Sequence, residues 1–185
     1  MFSTDTVVTL LSYATLIGDG AAAFLLLAIL AEVTGRKKRP CRFVALLDHH
    51  GLSLLFLIAL IATSGSLYFS EVAKWTPCKD CWFQRIFMYP QVPLLFVAFL
   101  SKDRRIARYI LTLCLIGMIF SIHQYAGQIS AILFPSLAVT CSDLTTNCFD
   151  TQIFRLGYIT IPMMALTAFA LNALLAVRQM RRSAA

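Results

Sequence analysis

The 185-residue chain is 59% hydrophobic and only 14% charged, which is more apolar material than a soluble domain of this size can bury in one core. The composition excludes an ordinary soluble domain and predicts a membrane protein. The net charge of +7 does not indicate a nucleic-acid partner, because the basic residues lie in short clusters between apolar segments rather than on one solvated face.

Five apolar segments are long enough to cross a bilayer, since a spanning helix needs roughly 20 mostly apolar residues. In chain order they are residues 7–33, 43–69, 82–100, 106–125 and 153–177. The first is too long, and the residues before it too poor in Lys and Arg, for a signal peptide, so we expect it to remain in the mature protein. No repeat or long linker divides the chain, which predicts a single all-α membrane domain, residues 1–185.

The basic residues predict the orientation of these segments. Lys and Arg concentrate in residues 36–42, 102–108 and 178–182, and the positive-inside rule places these three clusters in the cytoplasm. The other two connections, residues 71–81 and 126–152, hold two Lys residues and none, and are predicted to face outward. The amino terminus is therefore expected outside and the carboxyl terminus inside.

Two details concern the outer side of the last two segments. The apolar sequence continues beyond the fourth segment, and we expect about residues 128–139 to lie along the outer membrane surface. Arg155 is expected just inside the fifth helix.

Four of the six cysteines fall in the outward connections, where disulfides persist. Cys78 and Cys81 form a C-x-x-C motif that closes almost no loop, so a structural disulfide there would gain little. Redox exchange explains this spacing better than a structural role does. Cys141 and Cys148 form the second pair. Their six-residue spacer does not suit a four-cysteine zinc site, so we expect no metal.

Arg85 is the charged residue most closely associated with this motif. Cys81 stands at the start of the third segment, where the helix dipole favours a thiolate. Arg85 follows one helical turn later on the same face and is predicted to favour the thiolate more strongly than the dipole does. The alternative is an interfacial arginine that extends toward lipid headgroups.

Two stretches of sequence resemble a known family. Residues 78–90 read CKDCWFQRIFMYP, and residues 134–136, Phe-Pro-Ser, shortly precede Cys141. These features resemble the DsbB family of disulfide-forming membrane proteins, and most closely its short BdbC-type branch, which has a tight second cysteine pair followed by a helix like residues 157–162. The resemblance covers roughly residues 50–178.

The resemblance implies a four-helix transmembrane bundle of DsbB type, residues 43–178, with residues 7–33 as an additional N-terminal helix. It also implies a thiol:quinone oxidoreductase in the bacterial cytoplasmic membrane, working with a DsbA-like partner of thioredoxin fold. The additional helix has no counterpart in four-helix members, so the resemblance gives it no role.

Roles for individual residues follow from the same resemblance. Cys141, paired with Cys148, would take the mixed disulfide with the partner. Electrons would then pass to Cys78 and Cys81, with Cys81 next to ubiquinone or menaquinone. Arg85 matches the quinone-site arginine of the family. In addition, His123 ends the fourth segment on the outer side, within reach of a quinone carbonyl.

Other functions remain as alternatives. A quinone reductase of the vitamin K epoxide reductase type has a similar bundle but carries its loop cysteines before its C-x-x-C motif, opposite to the order here. A membrane scaffold with two structural disulfides is the non-enzymatic alternative. A transporter of reducing equivalents would need paired cysteines within the membrane segments, which hold only Cys114.

A few polar residues and two further cysteines lie within or beside the apolar segments. Asp19 lies in the middle of the first segment, where an ionisable group suggests function, although we favour a buried, hydrogen-bonded role. Residues 48–50, Asp-His-His, are better explained as an inner polar patch than as a metal site, because adjacent helical side chains diverge. Cys41 is expected to be a reduced thiol and Cys114 a packing residue.

Overall fold

In the computed structural model, residues 3–35, 42–133, 149 and 151–184 are described, and most of them are helical. The α-helices of this part of the chain are α1 (Thr4–Val33), α2 (Arg42–His49), α3 (Gly51–Leu67), α4 (Lys79–Met88), α5 (Gln91–Ser101), α6 (Ala107–Leu133) and α7 (Ile161–Ala184). A π-helical turn, Tyr68–Val72, continues α3, and a 3-10 turn, Arg104–Ile106, leads into α6. The all-α fold predicted from the sequence is confirmed.

Five helical segments within the described residues are long and apolar enough to cross a membrane. They are Thr4–Val33, Gly51–Val72, Lys79–Ser101, Arg104–Leu133 and Ile161–Arg182. Their number and order match the five predicted segments, and the chain is a multi-pass membrane protein.

The second and third predicted segments are each interrupted. The second is divided at His50, whose backbone leaves the helical conformation between α2 and α3. The third begins at Lys79, three residues earlier than predicted, and divides at Pro90. Proline lacks the N–H that would continue the hydrogen-bond ladder, so α4 ends and α5 begins there.

The predicted ends of the last two segments were wrong. Helix α6 continues to Leu133, so residues 128–133 extend the helix instead of lying along the outer surface. Helix α7 begins at Ile161 rather than at residue 153. Leu156 and Gly157 have φ angles of 53° and 80°, in the left-handed region, which prevents an earlier start. Arg155 therefore lies in the turn before α7, not inside it.

Helix α7 is the centre of the bundle and packs against α1, α3 and α6. Its Phe169 is fully buried and lies against Gly117 of α6, where a Cβ atom would come within 2.4 Å of the ring. Glycine at this position therefore lets the two helices approach closely. Cys114, one turn earlier on α6, is fully buried in the same core, which confirms the packing role predicted for it.

Replacing Gly117 with alanine should destabilise the bundle, because the added methyl group overlaps the ring of Phe169. The expected loss is about 1–3 kcal/mol, typical of overpacking, and thermal unfolding in detergent measures it. Gly20→Ala is the matched control, since a Cβ there meets nothing within 4 Å. Equal changes in the two variants would show that the α6–α7 contact tolerates the methyl group.

Helix α1 is bonded to the bundle along its length. From the amino to the carboxyl end of α1 the contacts are Arg155 with Asp5, Tyr158 and Thr167 with Asp19, and Arg178 with Glu32. Gly18 allows the close approach, since a Cβ there would lie 2.9 Å from the Thr167 methyl carbon. The hydrogen-bonded role predicted for Asp19 is confirmed, although the residue is only half-buried. The additional helix is thus an integral part of the fold.

Candidate active site around Cys78 and Cys81

The two cysteines of the C-x-x-C motif lie where an extended segment turns into α4. Cys78 is the N-cap residue, with extended backbone, and Cys81 lies in the first helical turn. Their sulfur atoms are 3.1 Å apart, with Cys78 buried and Cys81 half-buried. Free N–H groups and the positive end of the helix dipole favour negative charge at this position. The predicted position of Cys81 at a helix start is confirmed.

Gln124 of α6 contacts both sulfur atoms. Its Nε2 donates to Cys78 Sγ at 3.2 Å and to Cys81 Sγ at 3.3 Å. Its Oε1 accepts a hydrogen bond of 2.7 Å from Gln84 Nε2, which fixes the orientation of the amide. Both glutamines are almost fully buried. The sequence did not predict this contact, because it joins α4 to α6 across some 40 residues of chain.

Replacing Gln124 with methionine should slow alkylation of the reduced cysteine pair. The variant keeps the side-chain length and removes the N–H donors that stabilise a thiolate. The lost hydrogen bond to the Cys81 thiolate costs about 1 kcal/mol, which predicts a decrease of about fivefold in the alkylation rate. The rate is measured with a small maleimide.

Ser121→Ala is the matched control for this experiment. Ser121 is buried one turn earlier on the same helix, and among the described residues its hydroxyl bonds only to Gly117 O of that helix. Equal alkylation rates in the Gln124→Met variant and the control would refute a role of the amide at the sulfurs.

Arg85 lies one turn after Cys81 and is held by polar and aromatic groups. Its Nε donates to Ser66 Oγ and its Nη2 to Ser66 O, both at 3.1 Å. The guanidinium also lies 5.3 Å from the Trp82 ring centre and 6.0 Å from that of Tyr89. No carboxylate of the described residues pairs with it. Among the described residues, the positive charge of Arg85 is therefore not compensated by a carboxylate, although it lies inside a membrane-spanning segment.

The cysteine pair borders a cavity of about 250 Å³ between α1, α3, α4, α6 and α7. Its polar lining includes Gln84, Arg85 and Gln124, next to both sulfur atoms. Most of the remaining wall is apolar, and Phe69 and Trp75 stack there with ring centres 5.1 Å apart. The motif, the arginine and the glutamine pair thus line the same, largely apolar cavity.

His123 does not line this cavity. Its side chain is 66% exposed, and Nδ1 lies 3.2 Å from Asp80 Oδ2. Phe149 packs against Gly127 nearby, with its ring 6.3 Å from that of His123.

Some predicted residues fall outside the part of the chain that the structure describes. They are Cys41, Cys141, Cys148 and the side chain of Asp48. The rings of His49 and His50, at the break between α2 and α3, are exposed and meet edge to face at 4.8 Å.

Comparison with known proteins identifies the family. The model of the family described as "Disulfide bond formation protein DsbB" matches residues 49–179, which include the C-x-x-C motif, Arg85 and the helices from α3 to α7. The chain belongs to the DsbB family. The predicted resemblance is confirmed, and the match leaves α1 outside the DsbB region.

Individual relatives agree with the BdbC-type branch. Disulfide bond formation protein C of Bacillus subtilis is 43% identical over 120 residues, which cover 63% of this chain and 82% of the relative. A probable disulfide formation protein C of Bacillus cereus is 43% identical over 135 residues, 73% of this chain and 89% of the relative. A probable disulfide formation protein of Coxiella burnetii is 37% identical over 125 residues, 66% and 82% of the two chains. No solved structure matches the chain.

Proposed function

We propose that this protein is a thiol:quinone oxidoreductase of the bacterial cytoplasmic membrane, which reoxidises a DsbA-like partner of thioredoxin fold and so drives disulfide formation outside the cytoplasm. One observation carries the proposal. The two sulfur atoms of the C-x-x-C motif and an arginine with no carboxylate partner among the described residues border the same cavity within membrane-spanning helices.

The cavity suits the ring of ubiquinone or menaquinone. Its volume of about 250 Å³ is close to the lower end of the range of ligand pockets, about 300–1,000 Å³. Its aromatic wall at Phe69 and Trp75 suits a flat ring, and the guanidinium of Arg85 offers N–H donors for a carbonyl oxygen. A bound quinone supplies an acceptor for two electrons and two protons.

Different residues carry out thiol–disulfide exchange and electron transfer to the acceptor. Cys81, in the first turn of α4, holds the thiolate that delivers electrons, and Gln124 stabilises it by hydrogen bonding. Arg85 holds the negative charge that develops on the acceptor. Cys78 exchanges with the pair Cys141 and Cys148, which receives electrons from the partner.

The proposed orientation places this chemistry at the outer side of the membrane. The basic clusters of residues 36–42, 102–108 and 178–182 lie in the cytoplasm, so the connection before α4 and the connection between α6 and α7 face outward. Both cysteine pairs then lie on the side where the partner works, and electrons travel only into the outer half of the bilayer. His123 and Asp80 lie beside the motif on this outer face.

Reconstitution tests the proposed function. Protein in liposomes is mixed with ubiquinone and a reduced thioredoxin-fold protein, and quinol absorbance and partner thiols are followed together. We expect one partner disulfide for each quinol. Oxidation of the partner without quinol, or no turnover with either ubiquinone or menaquinone, would exclude the proposal.

A further inference from the structure

A second polar group lies close to the cavity and takes no part in the chemistry above. Asp19 of α1 accepts hydrogen bonds at both carboxylate oxygens, from Tyr158 Oη at 2.9 Å and from Thr167 Oγ1 at 2.6 Å. Asp19 is about 22 Å along α1 from Thr4, well inside a helix that is longer than the roughly 30 Å hydrocarbon core. An ionisable residue at that depth is costly and is usually functional.

On one side, the hydrogen-bonded group of Asp19 reaches the proposed quinone cavity through Thr167. Thr167 is buried and lines the cavity, and its hydroxyl is the one that bonds to Asp19. A threonine hydroxyl both donates and accepts, so it can take a proton from a carboxylic acid and give its own to an acceptor. Thr167 therefore connects the carboxyl group of Asp19 to the interior of the cavity.

On the other side the group meets the outer surface. Tyr158 belongs to the turn of residues 151–160 that precedes α7, and it is partly exposed. The hydrogen bond to Asp19 raises the pKa of Tyr158 above its ordinary value, so the phenol is protonated at neutral pH. Its carbonyl oxygen accepts a hydrogen bond from Tyr125 of α6, which holds the turn in place.

The surrounding charges leave Asp19 without an ion pair among the described residues. Arg155 of the turn pairs with Asp5, and Arg178 and Arg181 of α7 approach Glu32 at the opposite end of α1. The titratable group that bonds to Asp19 from the turn is the phenol of Tyr158, and Tyr125 of α6 lies close to Tyr158. Among the described residues, Asp19 is therefore bonded to hydroxyl groups and to no cation.

We propose that Tyr158, Asp19 and Thr167 form a proton route from the outer surface to the quinone cavity. The inference rests on the proposed function and gives α1 a part in it. Oxidation of the reduced pair removes one proton from the Cys78 thiol and one that Cys81 releases when it forms its thiolate. One S–S bond forms, and two electrons pass to the quinone. The two thiol protons leave to outer water, and two protons enter the quinol, one of them through Asp19 and Thr167.

Two variants interrupt the route at different points. Asp19→Asn removes the acidic proton, and Thr167→Val removes the hydroxyl while keeping the shape. Each should lower kcat for quinone reduction about 100-fold, the lower end of the effect of a positioned proton donor, with KM for quinone changed less than about twofold. Thr112→Val is the matched control, because the exposed Thr112 hydroxyl bonds, within the part of the chain that the structure describes, only to Arg108 O of α6.

Further measurements separate proton delivery from a merely structural role. Activity of the Asp19→Asn variant should rise as pH falls, and acetic acid should restore it, because a small acid replaces the missing carboxyl group. Quenching of tryptophan fluorescence by quinone, to which Trp75 in the cavity wall contributes, should give the wild-type affinity in both variants.

The outcomes distinguish failure of the proton route from failure of the proposed function. Wild-type kcat in Asp19→Asn, or a loss of kcat that acetic acid does not restore, overturns the proton route while the proposed function stands. Loss of quinone affinity in both variants also overturns it, since the residues would then shape the binding site. Absence of quinone reduction by the wild-type protein overturns both proposals together.

Discussion

Replacing Cys81 with serine is expected to abolish quinone reduction, because a hydroxyl group cannot form the S–S bond that releases the electrons. Quinol absorbance, followed with a reduced thioredoxin-fold partner, measures the loss. The bundle should fold normally, since Cys81 is half-buried at the start of α4 and not part of the central core.

Cys114→Ser is the matched control for this variant. Cys114 is buried in the core, and its thiol donates to Gln91 Oε1 at 3.6 Å, a bond that a serine hydroxyl also makes. We expect the control to keep turnover close to the wild-type rate. If the Cys81→Ser variant forms quinol at the rate of the control, the C-x-x-C motif is not needed for quinone reduction.

Replacing Arg85 with methionine should raise KM for quinone about 10- to 100-fold. The variant keeps the length of the side chain but loses a charge-assisted hydrogen bond, which is worth about 1.5–3 kcal/mol. Arg85→Lys should give a smaller increase, because a lysine keeps the charge but cannot hold Ser66 and the acceptor together with a planar fork. Initial rates at varied quinone concentration measure the effect.

Arg105→Met controls for the loss of one positive charge. Arg105 is exposed in the turn before α6, at the other end of the bundle from the cysteine pair. We expect its KM to equal that of the wild type. An unchanged KM in Arg85→Met would show that the arginine contacts lipid headgroups and not the electron acceptor.

The membrane segments were predictable because length and hydropathy together specify a spanning helix. Their ends were less predictable, since local backbone geometry and tertiary contacts determine them. Helix α7 starts late because Leu156 and Gly157 adopt positive φ angles, and hydropathy carries no information about such angles. Helix α6 continues through Gly127, where Phe149 from a distant part of the chain fills the space of the missing side chain.

The site was predictable where its residues are neighbours on one helix. Cys78, Cys81 and Arg85 are separated by three and four residues, so helical geometry alone brings them together. Helical geometry alone does not tell whether His123 or Gln124 faces the cysteine pair. Consecutive helical residues point about 100° apart, so only one of the two can do so. The chemistry of histidine favoured His123, yet the packing of α6 against α4 turns Gln124 toward the sulfur atoms and His123 toward Asp80.

The role of α1 could not be obtained from the sequence, since its partners are far away along the chain. Asp19 bonds to Thr167 and Tyr158, some 140 residues later. The depth of Asp19 in an apolar segment suggested function, although the sequence favoured a buried, hydrogen-bonded role. Only the fold shows that its partner Thr167 also lines the cavity beside the C-x-x-C motif.

A single turnover without any partner protein tests the central claim most directly. Protein with Cys141 and Cys148 replaced by serine is reduced, freed of reductant and mixed with ubiquinone or menaquinone in liposomes. Quinol is measured by absorbance, and the remaining thiols are located by alkylation and mass spectrometry. We predict one quinol per protein with loss of the thiols of Cys78 and Cys81 together. Absence of quinol, or quinol formed while both thiols persist, would contradict the assignment of this pair as the electron donor.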